Sequence, residues 1–393
     1  MVILYVAMKH DYGKPEQGLS FEHWNFYDAL ARMGHTILYF DFMTLLERRG
    51  RAGMNRRLLE VARTERPALM FTVLFRDEIE AAVVRRLPDE AGMVTLNWFC
   101  DDQWRFDDFS RRWTPFFTWV VTTASSALPR YARAGLRNVI KSQWACNHFA
   151  YRRLPGVPLK YDVTFIGQPH GGRREIILAL REAGLDIKVW GQGWDSGRLP
   201  QEQMIEVFNQ SRVNLNLAGS SSAPLSFAAR LGTQARCRVS AAIGALPGGA
   251  GIKSFARRAL AAARASTPGA PGPRSAPPRP TPYPSQMKGR NFEVPGCGGF
   301  LLTDAAEDLQ DYYEAGREIA LFDGLPDLIG RVRHFLRHEE ERAAIARAGY
   351  ERTMREHTYV HRFCDIFRAA GLPAAPAESL LAGVKPGETV EIG

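Results

Sequence analysis

Short apolar runs alternate with longer amphipathic segments along most of the chain, in two successive sets. The first set predicts strands at VILYVAM, HTILYFD, ALMFTVLF, MVTLNWFC and WVVTT, with helices near 21–33, 55–63 and 78–86. The second predicts strands at DVTFIG, DIKVWG, VNLNL and GGFLLT, with helices near 173–183 and 201–209 and further helices to about 367. Alternation of this kind is typical of α/β units around parallel sheets.

The length of the chain, 393 residues, exceeds the usual size of one hydrophobic core. Two prolines and a glycine interrupt the pattern within 154–160, which predicts a boundary between two domains, 1–155 and 160–370. The tail, 371–393, has no strong periodicity and is predicted to be disordered.

One segment carries the whole excess of basic residues. The chain has 51 basic and 42 acidic residues, a net charge of +9, and 219–285 contains nine basic residues and no acidic one. This segment is rich in Ala, Pro and Gly, which predicts a disordered insertion in the second domain. Because the remainder is neutral, nucleic acid is not an expected partner. A weak contact of the basic segment with an anionic membrane surface stays open.

The cysteines and the apolar runs set further expectations. Five cysteines lie far apart without a C-x-x-C pair, and no apolar run is long enough to span a bilayer. The start, MVILYVAM, lacks the basic lead-in of a signal peptide. We therefore expect a soluble cytoplasmic protein. His357 and His361 lack the glutamate of H-E-x-x-H, and no D-x-D motif occurs, so no metal site is predicted.

Candidate functional residues follow the predicted strands, where open α/β sheets bind ligands. Gly171, Gly172 and Arg173 follow DVTFIG and suit an anionic ligand, although a turn with solvated arginines is the alternative. Asp101 and Asp102 follow MVTLNWFC and are candidates for a general base, with an N-cap or loop carboxylate as the alternative.

His10 follows the first strand in the same way and is a further candidate for acid–base work. The stretch QMKGRNFEVPGCGGFLLT places Lys288, Arg290 and Glu293 ahead of another strand. By itself this stretch equally fits a solvated turn that caps a helix.

Together with GREIALFD, LIGRVRHFL and ERAAIARAGYERTMREHTYVHR, that stretch resembles the carboxyl-terminal region of the glycosyltransferase-like family that includes the spore maturation proteins. The resemblance covers roughly 162–362 apart from the insertion, and FEHWNFYDALARMGH and NWFCDDQWRFDDFS are similar to the amino domain of that family. It implies a GT-B fold, in which two Rossmann-like domains face each other across a central cleft, with a carboxyl-terminal domain like that of the group 1 glycosyl transferases.

The resemblance also implies a nucleotide-diphosphate-sugar donor in the carboxyl domain. Glu293 matches a glutamate that hydrogen-bonds the ribose hydroxyls in related retaining transferases, and Glu318 matches a further family position. Lys288 and Arg290 lie where cations would neutralise the diphosphate leaving group. The chain departs from the pattern at Ser285, where many retaining transferases have a second glutamate.

From these observations we predict a glycosyltransferase without a cofactor or metal requirement. It would transfer a sugar to a hydroxyl of an unidentified glycan, lipid-linked or protein acceptor. The departure at Ser285 favours the alternative, a non-catalytic relative that binds a nucleotide sugar or a glycan.

Overall fold

The computed structural model describes residues 1–218 and 285–393, and these form two parallel β-sheets flanked by helices. The strands of the first sheet are β1 (Val2–Val6), β2 (Thr36–Phe40), β3 (Leu69–Thr72), β4 (Val94–Phe99), β5 (Trp119–Thr122), β6 (Val139–Lys141) and β12 (Thr389–Glu391). Those of the second are β7 (Tyr161–Ile166), β8 (Ile187–Trp190), β9 (Ser211–Asn216), β10 (Leu301–Asp304) and β11 (Ala320–Phe322). The strand orders are β12-β2-β1-β3-β4-β5-β6 and β11-β10-β9-β7-β8.

The α-helices in the described part of the chain are α1 (Asp28–Arg32), α2 (Phe42–Glu65), α3 (Ala81–Ala91), α4 (Asp102–Arg105), α5 (Arg111–Trp113), α6 (Leu128–Arg133), α7 (Arg173–Glu182), α8 (Gln201–Gln210), α9 (Arg290–Gly296), α10 (Leu309–Tyr312), α11 (Gly324–Arg337), α12 (Glu339–Glu356) and α13 (Tyr359–Ala369). Two π-helical segments, His23–Tyr27 and Phe106–Ser110, lead into α1 and α5. None of the described helices is both long enough and apolar enough to cross a membrane.

The central strands are mostly buried because helices cover both faces of each sheet. Ile3, Leu4, Tyr5 and Val6 of β1, for example, are all completely buried. Every pairing between the strands given above is parallel, as between Val2 and Thr36 or Val163 and Ile187, so their carboxyl ends meet at one edge of each sheet. The predicted α/β class is therefore confirmed.

Aromatic side chains from distant parts of the chain join the two domains. Phe26, which lies in the π-helical segment His23–Tyr27, packs against Trp98 at 4.8 Å and Tyr359 at 5.1 Å between ring centroids. Phe363 of α13 packs against Phe71 of β3 at 5.6 Å. The last helix of the predicted second domain, 160–370, therefore packs into the core of the first domain, where the apolar face of α13 is buried.

The prediction of a disordered tail at 371–393 is wrong. β12 pairs with β2 at the edge of the first sheet, with Val390 beside Leu38. Gly387 packs so closely that a Cβ atom would lie 1.9 Å from the carbonyl oxygen of His35. Edge pairing rests on backbone hydrogen bonds, so it needs little apolar content and gives a weak sequence signal. The predicted insertion, 219–285, lies outside the described residues except for Ser285.

Candidate active site

A cleft with a volume of about 780 Å³ lies between the two domains, beyond the carboxyl ends of strands from both sheets. Its wall on the amino-domain side consists of Asp11, Glu16, Gln17, Gly18, Leu19, Phe21, Trp24, Asn25 and Tyr151. Its wall on the carboxyl-domain side consists of Ile166, Gly167, Gln168, Gly191, Gln192, Gly193, Gly197, Arg198, Leu199, Pro200, Gln201, Met204 and Arg290. Since open parallel sheets bind ligands beyond their carboxyl ends, this cleft is the candidate active site.

The loops after β7 and β8 are locked together by a glycine. Gly191 has a φ angle of +144°, and a Cβ atom at this position would lie 2.4 Å from the carbonyl oxygen of Gly167. The indole nitrogen of Trp194 donates to the same oxygen at 2.8 Å. The cleft floor is thus built from closely packed backbone, which leaves room for a ligand to approach the main chain.

We expect Gly191→Ala to lower the free energy of unfolding by about 1 to 3 kcal/mol, because the methyl group meets the Gly167 carbonyl and the φ angle disfavours a side chain. Denaturant unfolding measures the change. Gly172→Ala is the matched control, since its added Cβ meets no atom within 4 Å. Equal stability of Gly191→Ala and the parent would contradict the locked arrangement.

Arg290 places a positive charge on the carboxyl-domain wall of the cleft. Its guanidinium is ion-paired with Glu293 and lies 5.5 Å from the ring centroid of Phe208. Burial by itself would lower the pKa of Arg290. The carboxylate of Glu293 and the hydroxyl of Tyr151 outweigh this effect, so the pKa of Arg290 lies above its ordinary value. The arginine is therefore a permanent cation with a fixed position.

Glu293 itself is completely buried, and it bonds to two residues that line the cleft. Its Oε1 accepts a hydrogen bond from the hydroxyl of Tyr151 at 2.8 Å, and its Oε2 pairs with Arg290. Both partners line the cleft, whereas Glu293 does not. The ribose contact implied by the family resemblance stays a prediction, and it would require Arg290 to release the carboxylate.

Asp11 and Arg198 face each other across the cleft. Asp11 lies in the loop after β1, and its Oδ2 pairs with the guanidinium of Arg198 from the carboxyl domain. The next residue, Tyr12, has left-handed backbone angles, φ 51° and ψ 27°. Asp11 and the neighbouring residues 16–19 line the cleft, so the loop after β1 belongs to the candidate site.

The sequence of the carboxyl-terminal half matches the glycosyl transferase-like family over residues 173–245 and 257–368. This part of the chain is similar to that family. The match falls on the half that supplies Arg290, Glu293 and the loop after β8, so family and site geometry concern the same residues. Among curated proteins, no sequence matches the chain significantly.

Solved structures share the fold of this chain over almost its whole length. Anabaena HepE in complex with UDP and glucose is 12% identical, covers 94% of this chain and 99% of its own, and has a TM-score of 0.58. Sucrose-phosphate synthase from Thermosynechococcus elongatus is 11% identical, covers 94% and 98%, and has a TM-score of 0.53. The likeness establishes the fold, which is the predicted GT-B fold. The relation to the spore maturation proteins in particular stays a prediction.

Asp102 is a structural residue, so its prediction as a general base is wrong. Its carboxylate is completely buried and accepts hydrogen bonds from the hydroxyls of Ser110 and of Tyr131, the latter at 2.8 Å. Burial raises the pKa of Asp102. A carboxylate enclosed by two donors inside the amino domain has no access to an acceptor hydroxyl.

Asp101 and Lys288 lie together near the cleft but outside its lining. The ammonium group of Lys288 is 3.6 Å from the carboxylate of Asp101 and donates to the Gln286 side chain at 2.7 Å. Both residues remain partly exposed, with side-chain exposures of 35% for Lys288 and 30% for Asp101. Their predicted roles stay predictions.

The loop after β7, predicted to bind phosphate through Gly171, Gly172 and Arg173, reaches the cleft with other residues, Gly167 and Gln168. Gly171 and Gly172 lie in the loop that leads into α7, beyond the residues that line the cleft. Arg173 is buried, and its guanidinium donates to the carbonyls of Leu217, at 2.8 and 3.0 Å, and of Gln168, at 2.9 Å. Burial lowers the pKa of Arg173 to about 10. This arginine therefore holds backbone in place, and its prediction as a donor-binding residue is wrong.

Glu318 is also placed away from the site, against its prediction. It precedes β11, the edge strand of the second sheet, and therefore lies at the amino end of that strand. The cleft adjoins the carboxyl ends of β7 and β8. The Glu318 carboxylate accepts instead from the backbone N–H of Glu314 at 2.9 Å, which closes a surface turn.

His10 follows β1 as expected, but the residue that lines the cleft is its neighbour Asp11. The backbone of His10 bridges to Leu19, and its carbonyl accepts from Gly13 at 2.9 Å. His10 thus shapes the loop whose other residues reach the cleft. Its predicted acid–base role stays a prediction.

His357 and His361 do not act as a pair. His357 is buried, and its Nε2 donates to the carbonyl of Tyr312 at 2.7 Å, while Nδ1 of His361 lies 2.8 Å from the hydroxyl of Thr358. Burial, aided by the charge of Arg362, lowers the pKa of His357 to about 3. These two rings therefore serve the junction between α12 and α13.

Tyr151 and Arg198 line the cleft and were not predicted from the sequence. Tyr151 lies in ACNHFAYRR, between the two domains, and carries no recognisable motif. Arg198 lies in QGWDSGRLP, where the glycine spacing is weak evidence by itself. Only the tertiary structure places Tyr151 against Glu293 and brings Arg198, in the loop after β8, to the cleft.

Proposed function

We propose that this chain is a glycosyltransferase, which binds a nucleotide diphosphate sugar on the carboxyl-domain wall of the cleft and transfers the sugar to an acceptor hydroxyl held on the amino-domain wall. The observation that carries the proposal is Arg290, a cation fixed at the cleft wall by Glu293 and Tyr151. Breaking the bond between sugar and diphosphate builds negative charge on the leaving group. A cation held in advance at that position stabilises the charge without reorganisation.

The loops after β7 and β8 suit the donor. Gly191 and Gly193 have φ angles of +144° and +93°, so they present main chain rather than side chains to the cleft. Trp194 and Arg174 lie beside them, with the guanidinium 4.8 Å from the ring centroid. Because the HepE structures contain UDP or UDP-glucose, uridine nucleotides are the first donors to test.

Asp11 is the proposed acceptor base. Oδ2 of Asp11 pairs with Arg198, which orients the carboxylate, and Oδ1 makes no hydrogen bond to any residue that the structure describes. A carboxylate on the wall opposite Arg290 is suitably placed to remove a proton from an acceptor hydroxyl. This proposal replaces Asp102 as the candidate base, for the reasons of burial given above.

The alternative is a relative that binds the donor without transferring its sugar. Ser285 supports it, since this residue stands where many retaining transferases have a second glutamate. The two proposals share a donor site and differ in turnover.

A screen of UDP, GDP, ADP and their sugars by thermal unfolding tests both proposals. A ligand at one hundred times its dissociation constant adds about 2.7 kcal/mol to the free energy of unfolding. Release of nucleotide from the best ligand, with and without candidate acceptors, then separates transfer from binding. Glu318→Gln is the control and should respond like the parent. If no nucleotide or nucleotide sugar stabilises the chain, both proposals are wrong.

A further inference from the structure

Three side chains converge on the surface where α11 meets α12. His334 lies in the last turn of α11, His338 lies between the two helices, and Glu341 lies in the first turn of α12. The potential ligand atoms of the three residues all lie within 4.8 Å of one another. A cluster of this composition has no role in the proposed transfer.

The two imidazoles are already arranged as a pair. Their spacing of four residues places them on one helical face, and their rings stack at 4.0 Å between centroids with an interplanar angle of 19°. Nδ1 of His338 lies 2.7 Å from the carbonyl oxygen of His334 and donates to it, which leaves Nε2 as the free ligand atom. Metal-binding histidines are commonly oriented by such a hydrogen bond to the other ring nitrogen.

Glu341 completes the set from the second helix. Its Oε2 lies 2.6 Å from Nε2 of His334, so the carboxylate already faces the imidazole pair. Side-chain exposures of 43% for His334 and 49% for Glu341 leave the ligand atoms accessible to an ion from solvent.

The location of the cluster separates it from the cleft. α11 begins after the carboxyl end of β11 and runs back across the sheet, so its last turn lies at the opposite edge. Consistent with this, Arg333 donates at 2.7 Å to the carbonyl of Ala183, directly after the end of α7. An ion here would brace the joint between two helices and would not contact a substrate.

We propose that His334, His338 and Glu341 form a binding site for a divalent transition-metal ion, with Zn²⁺ as the best match. Two imidazoles and one carboxylate are typical ligands of zinc, and water supplies the fourth position in such sets. Mg²⁺ and Ca²⁺ require mostly oxygen ligands and fit this set poorly. The bound ion links the end of α11 to the start of α12.

Calorimetric titration with ZnCl₂ tests the site, using the full chain without a histidine tag and after treatment with a chelator. We expect one equivalent of Zn²⁺ to bind, and His334→Ala, His338→Ala and Glu341→Gln each to lower the affinity by at least about tenfold. Glu340→Gln is the matched control, because this neighbouring glutamate lies outside the cluster. MgCl₂ should give no binding heat.

Two results would overturn the proposal. One is the absence of zinc binding by the parent, and the other is unchanged zinc affinity in all three variants. Circular dichroism establishes that each variant is folded, and the exposure of the side chains makes this the expected result. Nucleotide-sugar binding should be equal in parent and variants, so this test is independent of the proposed function.

Discussion

Glu293→Ala is expected to lower the free energy of unfolding by about 3 to 5 kcal/mol, as measured by denaturant unfolding. The substitution removes a completely buried carboxylate and leaves the charge of Arg290 and the hydroxyl of Tyr151 without their partner. Donor affinity should fall as well, because Arg290 loses the contact that fixes it at the cleft wall. A ribose contact of Glu293, as the family resemblance implies, would predict a loss of donor binding with an intact fold. The buried pair with Arg290 predicts a loss of stability as well.

Two control variants separate the contributions. Tyr151→Phe removes one hydrogen bond and should cost about 1 kcal/mol, and the surface variant Glu318→Ala should leave stability and donor affinity near those of the parent. Parental stability of Glu293→Ala combined with weak donor binding would favour the direct ribose contact. Lower stability with unchanged donor affinity would show that Arg290 does not contact the donor.

Asp11→Asn is expected to reduce turnover by a factor of about 10² to 10⁴ while donor affinity stays near the parental value. Asparagine keeps the shape of the side chain but cannot accept the proton of the acceptor hydroxyl. The measurement is the rate of sugar transfer at saturating donor, together with donor affinity by calorimetry.

Matched variants on the same side of the cleft sharpen this test. Glu16→Gln changes another carboxylate of the same wall, and Asp101→Asn changes the residue paired with Lys288. Both should retain most of the turnover. If Asp101→Asn loses turnover and Asp11→Asn does not, the base is Asp101 and the assignment to Asp11 fails.

Most strands could be predicted from the pattern of the sequence, because a strand that helices cover on both faces is rich in apolar residues. β1, β4 and β7 were predicted as runs of buried residues and occur at those positions. β6 and β11 have three residues each, and such short strands give too little periodicity to be detected. β12 is exposed along most of its length, so it has no apolar run by which the sequence could predict it.

Only some residues of the candidate site could be predicted from the sequence. Arg290 was identified because a motif of the family resemblance contains it, and the structure places it on the cleft wall. Asp102 and Arg173 have the same kind of sequence signal, a charged residue after a strand, yet both are buried and bonded within their own domains. A sequence position at a strand end does not specify whether the side chain faces the cleft or the core.

By itself the sequence determined the α/β class with two sets of parallel strands, and it singled out Arg290, which lies on the cleft wall. These properties depend on local periodicity and on short motifs, which neighbouring residues carry. Only the tertiary structure decided that Glu293 supports Arg290 from behind, that Asp11 opposes it across the cleft and that the tail joins the first sheet. The hydrogen bond from Tyr151 to Glu293, the two walls of the cleft and the pairing of β12 with β2 all bring together residues far apart in the chain, and such contacts are set by packing of the whole molecule.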